Sequence, residues 1–193
     1  MSNLLHHHYQ LYKPYGYVSQ FLSRQHKSYK KKFLGEFFDF HADTMSVGRL
    51  DENSEGLLLL TTDGKLSHKI NSSGVEKEYY AQVDGLISAE AILEIQKGVL
   101  LSIEGKSYRS KPCKAKIIDT PQLPETSQRM RHSGHGPTSW VSITLTEGKF
   151  RQVRKMTAAV GFPTLRLARY RVGNYTIEGM QAGDCSQLDE LLP

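Results

Sequence analysis

Asp51 is the residue of this chain whose setting most suggests chemistry. It ends the run Ser46-Val47-Gly48-Arg49-Leu50-Asp51 and precedes Gly56-Leu57-Leu58-Leu59-Leu60-Thr61-Thr62-Asp63-Gly64. The apolar run is short and is bounded by Gly56 and by the turn signal Asp63-Gly64, which predicts a strand buried on both faces. A carboxylate beside such a strand, with Arg49 just upstream, is costly unless it is paired or put to use. Two readings follow from the residues alone. Asp51 is an ionised acid held for reaction, or Asp51, Glu52, Asn53, Ser54 and Glu55 form a solvated connection with a structural ion pair.

Redox, phosphate-transfer and zinc chemistry find no support in the sequence. It has no GxGxxG pattern, no GKS/T phosphate loop and no zinc-ligand spacing. Cys113 and Cys185 lack CxxC spacing and a partner framework, which fits a reducing cytosol. His6-His7-His8 is read as natural sequence or tag remnant, not as a metal site.

The elements that must position Asp51 are legible from periodicity. Lys65 to Asn71 reads as a short helix after the Asp63-Gly64 turn. Tyr79 to Asp84 alternates as a strand, with Tyr79, Ala81 and Val83 on one side and Tyr80, Gln82 and Asp84 on the other. Ser88 is a plausible N-cap for a helix to Lys97 that Gly98 stops. Trp140 to Leu145 is a strand, and Arg151 to Val160 a helix with Val153, Met156 and Val160 on one face, ended by Gly161 and Pro163. Leu165 and Leu167 continue as a strand. Residues 119–137, rich in Pro, Ser, Gln, Gly and Arg, are expected to be a long surface loop. Residues 23–43 read as a loop or short helix whose phenylalanines pack down and whose lysines are solvated, the alternative being an RNA-facing lysine patch. Residues 1–8 are expected to be disordered, and 9–193 to form a single domain. Strands and short helices in no strict βαβ order predict an α+β fold with a mixed, mostly antiparallel sheet.

The chain has 193 residues, enough for one compact domain with a sizeable core. No apolar stretch approaches the roughly 20 residues that cross a bilayer, and no signal-peptide core is visible. A cytoplasmic location without membrane contact is expected. Lys and Arg number 25 against 20 Asp and Glu, a net +5. Lys27, Lys30, Lys31 and Lys32 cluster in one stretch, and Arg129, Arg131, Lys149, Arg151, Arg154, Lys155, Arg166, Arg169 and Arg171 crowd the last third. A phosphate backbone would use such a basic half.

The GRLD-x4-GLLLLT-x-DG pattern resembles the catalytic motif of pseudouridine synthases, in the branch of the small-subunit rRNA enzyme A. Further landmarks follow in order. Lys13-Pro14-Tyr15-Gly16-Tyr17-Val18-Ser19 resembles the family's opening strand and turn, Lys77-Glu78-Tyr79 its K-x-Y motif, and Glu147 to Met156 its EG-x2-RQVRRM helix. Pro137-Thr138-Ser139-Trp140 and Gly161 to Leu167, followed by Arg169-Tyr170, are most similar to the large-subunit (23S) rRNA synthase E subgroup. The resemblance covers about residues 9 to 180. Phe150 departs from it, standing where the subgroup carries asparagine or a similar polar residue.

The resemblance implies a sheet in two lobes flanked by helices, with a central basic cleft. It implies cofactor-free and metal-free isomerisation of a uridine: the N1–C1′ bond breaks, the base turns, and C5 joins C1′. One ionised carboxylate near C1′ or C6 is needed, a strategy like carboxylate catalysis at other anomeric carbons. Asp51 is then the nucleophile, Arg154 its counter-ion, and Tyr79 the aromatic that stacks on the uracil. Arg49, Lys77, Arg151, Gln152 and Lys155 are the implied RNA contacts. Arg49 either fills the space of the extruded base or is a second counter-ion of Asp51. Large-subunit ribosomal RNA is the implied partner and a monomer the implied state. Too few residues precede Lys13 for the accessory RNA-binding domain usual in the branch, so recognition falls to the catalytic domain. The rival readings are the same chemistry on small-subunit rRNA or tRNA, an inactive rRNA-binding assembly factor, and a glycosidase using Asp51 and Glu55.

Overall fold

The leucine run forms the strand at the centre of the fold. β3 (Glu55–Thr61) is buried along its whole length, because each of its faces meets a different core. Leu57 and Leu59 pack with Tyr12, Val47, Ile70 and Val172, while Leu58 and Leu60 pack with Tyr9, Leu11 and Leu34. Strand alternation sends successive leucines to opposite faces, so a run with no polar interruption needs apolar cover on both. The computed structural model describes residues 6–21, 31–129 and 136–192.

Around β3 the sheet runs β11 (Cys185–Leu188), β1 (His8–Lys13), β3, β9 (Thr164–Val172), β4 (Lys77–Asp84), β8 (Thr138–Leu145) and β7 (Lys114–Ile118). β2 (Met45–Ser46) adds to β3, and β10 (Tyr175–Thr176) adds to β9. Among these pairings only β3 with β9 is parallel. The mixed, mostly antiparallel α+β sheet expected from the sequence is therefore what forms. A separate hairpin, β5 (Leu100–Ile103) with β6 (Lys106–Arg109), was not anticipated.

The helices begin and end where the sequence indicates. α1 (Gly64–Ser72) is capped by the Asp63 carboxylate, which accepts from the Lys65 and Leu66 N–H groups at 2.9 and 3.0 Å. Ser88 caps α2 (Ala89–Lys97). α2 and α3 (Gln152–Ala159) bury Ile92, Ile95, Val153 and Met156 against Ala81, Val83, Val141, Ile143 and Leu167 of the sheet.

Order begins earlier than residue 9. Residues 1–5 and the lysines Lys27 and Lys30 lie outside the described residues, but His8 already pairs in β1, and its Nδ1 is 2.9 Å from Thr61 Oγ1. The Phe-rich stretch holds a single 3-10 turn, Leu34–Glu36, and Phe21, Phe37 and Phe40 pack onto the Tyr9 core. The part of the 119–137 loop that is described lies along β9. Pro124 carbonyl accepts from Arg166 Nη2 at 2.6 Å, and Gln128 Nε2 donates to the Leu165 carbonyl at 2.7 Å.

β3 and β9 pair only through Glu55 with Ala168 and Gly56 with Arg169. Gly56 has φ +101°, and a Cβ there would lie 2.3 Å from the Arg169 carbonyl oxygen and 2.7 Å from its nitrogen. Glycine is the residue that fits both constraints. Beside it, Arg166 Nε meets Glu55 Oε1 at 2.5 Å in a nearly water-free pair, and Arg169 Nε donates to the Leu57 carbonyl at 2.7 Å. Lys13 is fully buried on the neighbouring strand, its Nζ donating to the Pro14 and Tyr17 carbonyls at 2.9 and 2.7 Å. Desolvation pulls its pKa from 10.5 to about 7, although Glu55 and Asp51 oppose the shift.

Two stability predictions follow from these contacts. Gly56→Ala combines a forbidden φ with a backbone clash and is expected to cost more than about 3 kcal/mol in chemical denaturation. For Lys13 the folded pKa lies below the unfolded one, so between about pH 7 and pH 10 the unfolded chain holds more protons than the native one. Stability contributed through Lys13 therefore rises with pH across that window and is flat below it. The wild type should gain on Lys13→Met as denaturation is moved from pH 7 to pH 9.5; parallel curves would refute the shift.

Candidate active site

Asp51 stands on a loop whose polar backbone atoms are almost all spoken for. Ser19, buried, donates its hydroxyl to the Leu50 carbonyl and accepts from the Leu50 N–H, both at 2.9 Å. The Ser54 N–H donates to the Asp51 carbonyl at 3.0 Å, and the Gly16 N–H to the Glu52 carbonyl at 2.8 Å. Arg154 Nη2 donates to the Asn53 carbonyl at 2.6 Å and lies 3.4 Å from Ser54 Oγ. The carboxylate is thus presented by a turn held from three sides of the fold.

The counter-ion of Asp51 is Arg151, not Arg154. Arg151 Nη1 lies 3.2 Å from Asp51 Oδ2 and 3.1 Å from Asn53 Oδ1. Among the described residues Asp51 Oδ1 has no hydrogen-bond donor, which leaves it available to a ligand. Arg154 is turned inward instead, its Nη1 reaching the Thr164 carbonyl at 3.3 Å while Nη2 holds Asn53. Burial, then the neighbouring Arg151 charge, lowers the Arg154 pKa, and Asp51 opposes this. The difference between the two arginines is one of backbone. Arg151 is the N-cap of α3 at φ +53°, ψ +36°, left-handed for a residue with a side chain. Such conformations persist only where the surroundings enforce them.

What enforces it is a lock centred on Glu147. Its carboxylate accepts from the Tyr108 hydroxyl, from the Lys111 N–H at 2.9 Å and from Gln152 Nε2 at 2.5 Å. Gln152 Oε1 accepts from the Lys149 N–H at 2.9 Å, closing the turn. Burial pushes the Glu147 pKa up, but these three hydrogen bonds outweigh it and hold the carboxyl below its ordinary range.

Tyr79 lines the same pocket as Asp51, together with Leu145, Val153 and Leu167. Tyr80 faces the other side of the sheet and stacks on Tyr170 with centroids 4.4 Å apart. The alternation left open which tyrosine would face the acid, and the packing of α3 against β4 and β9 decides it. A register shift between Glu78 and Tyr79 in the pairing with β9 sets Tyr79 opposite Arg169. An anchored carboxylate with one unengaged oxygen, an aromatic ring and an apolar wall together suit an uncharged planar group held over an acid.

The other expected contacts divide. Arg49 is exposed on the pocket rim and makes no ion pair among the described residues, so it is not a second counter-ion. Lys77 is not on an RNA face: it is buried, and its Nζ donates to the Val75 carbonyl at 3.0 Å. Gln152 is likewise buried and serves the Glu147 lock. Lys155 is at the surface, donating to the Ser102 carbonyl at 2.6 Å. Of the C-terminal cations, Arg166, Arg169 and Arg171 are occupied internally, Arg171 by Glu76 and Glu78 at 3.0 and 3.1 Å. Arg131 lies outside the described residues. Glu55 is sealed in its pair with Arg166, which removes it as the second carboxylate of a glycosidase. Sequence reasoning missed Glu147, Asn53 and Tyr15. Tyr15 and Gly16 line a second depression on the far side of Asp51. Glu147 and Tyr15 had a signal, their places in the motif that precedes α3 and in the opening strand-turn motif.

The chain as a whole has relatives. The sequence pattern of the RNA pseudouridylate synthase family matches residues 7–159. The ribosomal large subunit pseudouridine synthase E of Vibrio parahaemolyticus is 39% identical over 91% of this chain and 71% of its own length. The protein of the same name from Xanthomonas axonopodis pv. citri is 39% identical over 88% of this chain and 87% of its own. A crystal structure of a pseudouridylate synthase superposes with a TM-score of 0.75 at 28% identity, covering 95% of this chain and 70% of that one. With its fold, its motif order and these relatives in agreement, the chain belongs to the RNA pseudouridylate synthase family.

Proposed function

We propose that the protein isomerises a uridine of large-subunit ribosomal RNA to pseudouridine, as its relatives' shared name suggests, without a cofactor. The observation that carries the reading is Asp51, ion-paired to Arg151 and opening on a pocket shared with Tyr79. Asp51 Oδ1 is the nucleophile toward C1′ or C6 of the target nucleotide. Cleavage of N1–C1′ frees the uracil, which stays in the pocket against Tyr79 and the apolar wall; it turns and rejoins C1′ through C5, the bond to Asp51 breaks, and N1 takes up a proton as C5 loses one to solvent. Net charge and atom count are unchanged, so no oxidant or phosphoryl donor takes part. Arg151 balances the Asp51 charge as the RNA excludes water. Extruding the nucleotide costs a few kcal/mol of stacking, and Arg49 at the rim takes the vacated space.

The finer placement is also ours: the synthase E subgroup within the small-subunit synthase A branch, a basic cleft crossing the sheet, a monomer, and a cytoplasmic site of action. Among the described residues no helix is long and apolar enough to cross a membrane.

Tritium release from large-subunit rRNA carrying C5-tritiated uridine tests the reading. The wild type should release about one equivalent per transcript, and Asp51→Asn should fall by at least ~10⁴-fold. A wild type that binds rRNA but never releases tritium, even from ribosomal precursors, would make the protein an RNA-binding factor instead. Release from small-subunit rRNA or tRNA alone would reassign the substrate. The two arginines separate by a second comparison. Arg151→Ala should lower turnover by roughly 10²- to 10³-fold with an unchanged melting temperature. Arg154→Ala should lose about 1–3 kcal/mol of stability, because it frees the buried Asn53 carbonyl. Equal stability losses would undo the assignment.

A further inference from the structure

Most phenylalanines of this chain have apolar or aromatic company. Phe21 and Phe37 pack on the Tyr9 core, Phe38 and Phe40 form edge and tilted contacts with Tyr9 and one another, and Phe162 joins the α2–α3 core. Phe150 differs. It is 61% exposed and contacts no other ring among the described residues. Its one ring neighbour is a cation, Lys155 Nζ, 5.4 Å from the centroid. The fold gives this ring no aromatic partner among the described residues, so its exposed face is open to a ligand.

The position of the ring specifies that partner. Phe150 sits between Lys149 and Arg151, both of which line the Asp51 pocket. Lys149 Nζ lies 5.1 Å over the Tyr108 ring, and Lys155 is tied to the hairpin through the Ser102 carbonyl. The acid of this segment, Glu147, is fully engaged by Tyr108, Lys111 and Gln152. Free charge around the ring is therefore positive. The Glu147 lock and the left-handed Arg151 fix the turn that carries it, so little order must be created on binding. A flat apolar surface flanked by lysines, rigid and beside a nucleotide-sized pocket, matches an unpaired base with its phosphates. A protein partner would want a wider apolar patch, and the residues beside Phe150 are Lys149 and Arg151.

We propose that Phe150 is a stacking platform for an unpaired nucleobase flanking the target uridine, with Lys149 and Lys155 on the adjoining phosphates. The inference rests on the RNA-modifying role proposed above. It makes RNA shape beside the target, rather than the reacting uridine, the ligand of this surface.

The test compares Phe150→Ala, Phe150→Trp and Lys155→Gln in the full chain, using filter binding and tritium release with large-subunit rRNA. Near-ultraviolet circular dichroism verifies folding, which truncation of an exposed ring should spare. Phe150→Ala should weaken binding between about five- and a hundredfold, the span for losing one base–aromatic stack, with the loss in KM rather than kcat. Phe150→Trp should bind at least as well as wild type. The salt dependence of binding should be unaltered in Phe150→Ala and shallower in Lys155→Gln. Unchanged binding of Phe150→Ala by an active wild type overturns the platform alone. Weakened binding without any wild-type turnover sustains the platform and overturns the reaction. A wild type that binds no rRNA overturns both.

Discussion

The parallel contact between Glu55-Gly56 and Ala168-Arg169 is the constraint on which the other features depend. Among the described residues it is the only strand pairing between the strands built on β1 and those built on β4, and it is two residues long. So short a ladder supplies few hydrogen bonds, and other contacts make it specific. Gly56 admits the Arg169 backbone at a distance no side chain would allow, and the Glu55–Arg166 pair fills the dry space beside it. A buried ion pair is a poor source of net stability against apolar residues, but a misregistered strand would leave both charges unpaired. The pair therefore acts chiefly as a register pin. Asp51 lies just ahead of Glu55, so fixing the seam fixes where the acid emerges.

From that point the site is assembled by contacts that cross the seam. Arg151 and Arg154 come from the far side of the sheet, and each holds a different atom of the 51–54 turn. Dividing the work in this way has a physical rationale. The arginine paired with the partly exposed acid stays near water, and the one that shapes the loop is better buried. Arg151 and Asp51 are each about a third exposed, so solvent weakens their attraction until a ligand covers them.

Much of this was legible in the sequence. The unbroken leucines announced a strand covered on both faces, Ser88 and Gly98 marked helix ends through capping chemistry, and the Asp63-Gly64 turn marked where another helix begins. Asp51 stood out because acid beside apolar strand is expensive. The failures share a cause. The motif resemblance assigned Arg154 to Asp51, whereas Arg151 reaches the acid from a left-handed cap that neither motif nor periodicity reveals. The motif resemblance placed Lys77 and Gln152 among the RNA contacts, because a motif gives residue types and not exposure. Burial with backbone carbonyls or with Glu147 as partners reverses that, and partners distant in sequence are invisible to a local reading. The β5–β6 hairpin escaped for a similar reason: its strands are short and half exposed, so their alternation is weak.

The wide sequence separation across the seam bears on how the protein is made. Glu55 and Arg166 are 111 residues apart, and β1 pairs on its outer edge with β11, near the end of the chain. Such non-local pairing makes for slow folding, since loop closure precedes any reward. A chain emerging from the ribosome N-terminus first would expose the leucine strand with only β1 and the short β2 beside it until β9 is synthesised. The early half is thus a client for whatever shields apolar strands. The Asp51 carboxylate reaches the geometry described here only after Arg151 and Arg154 have been synthesised.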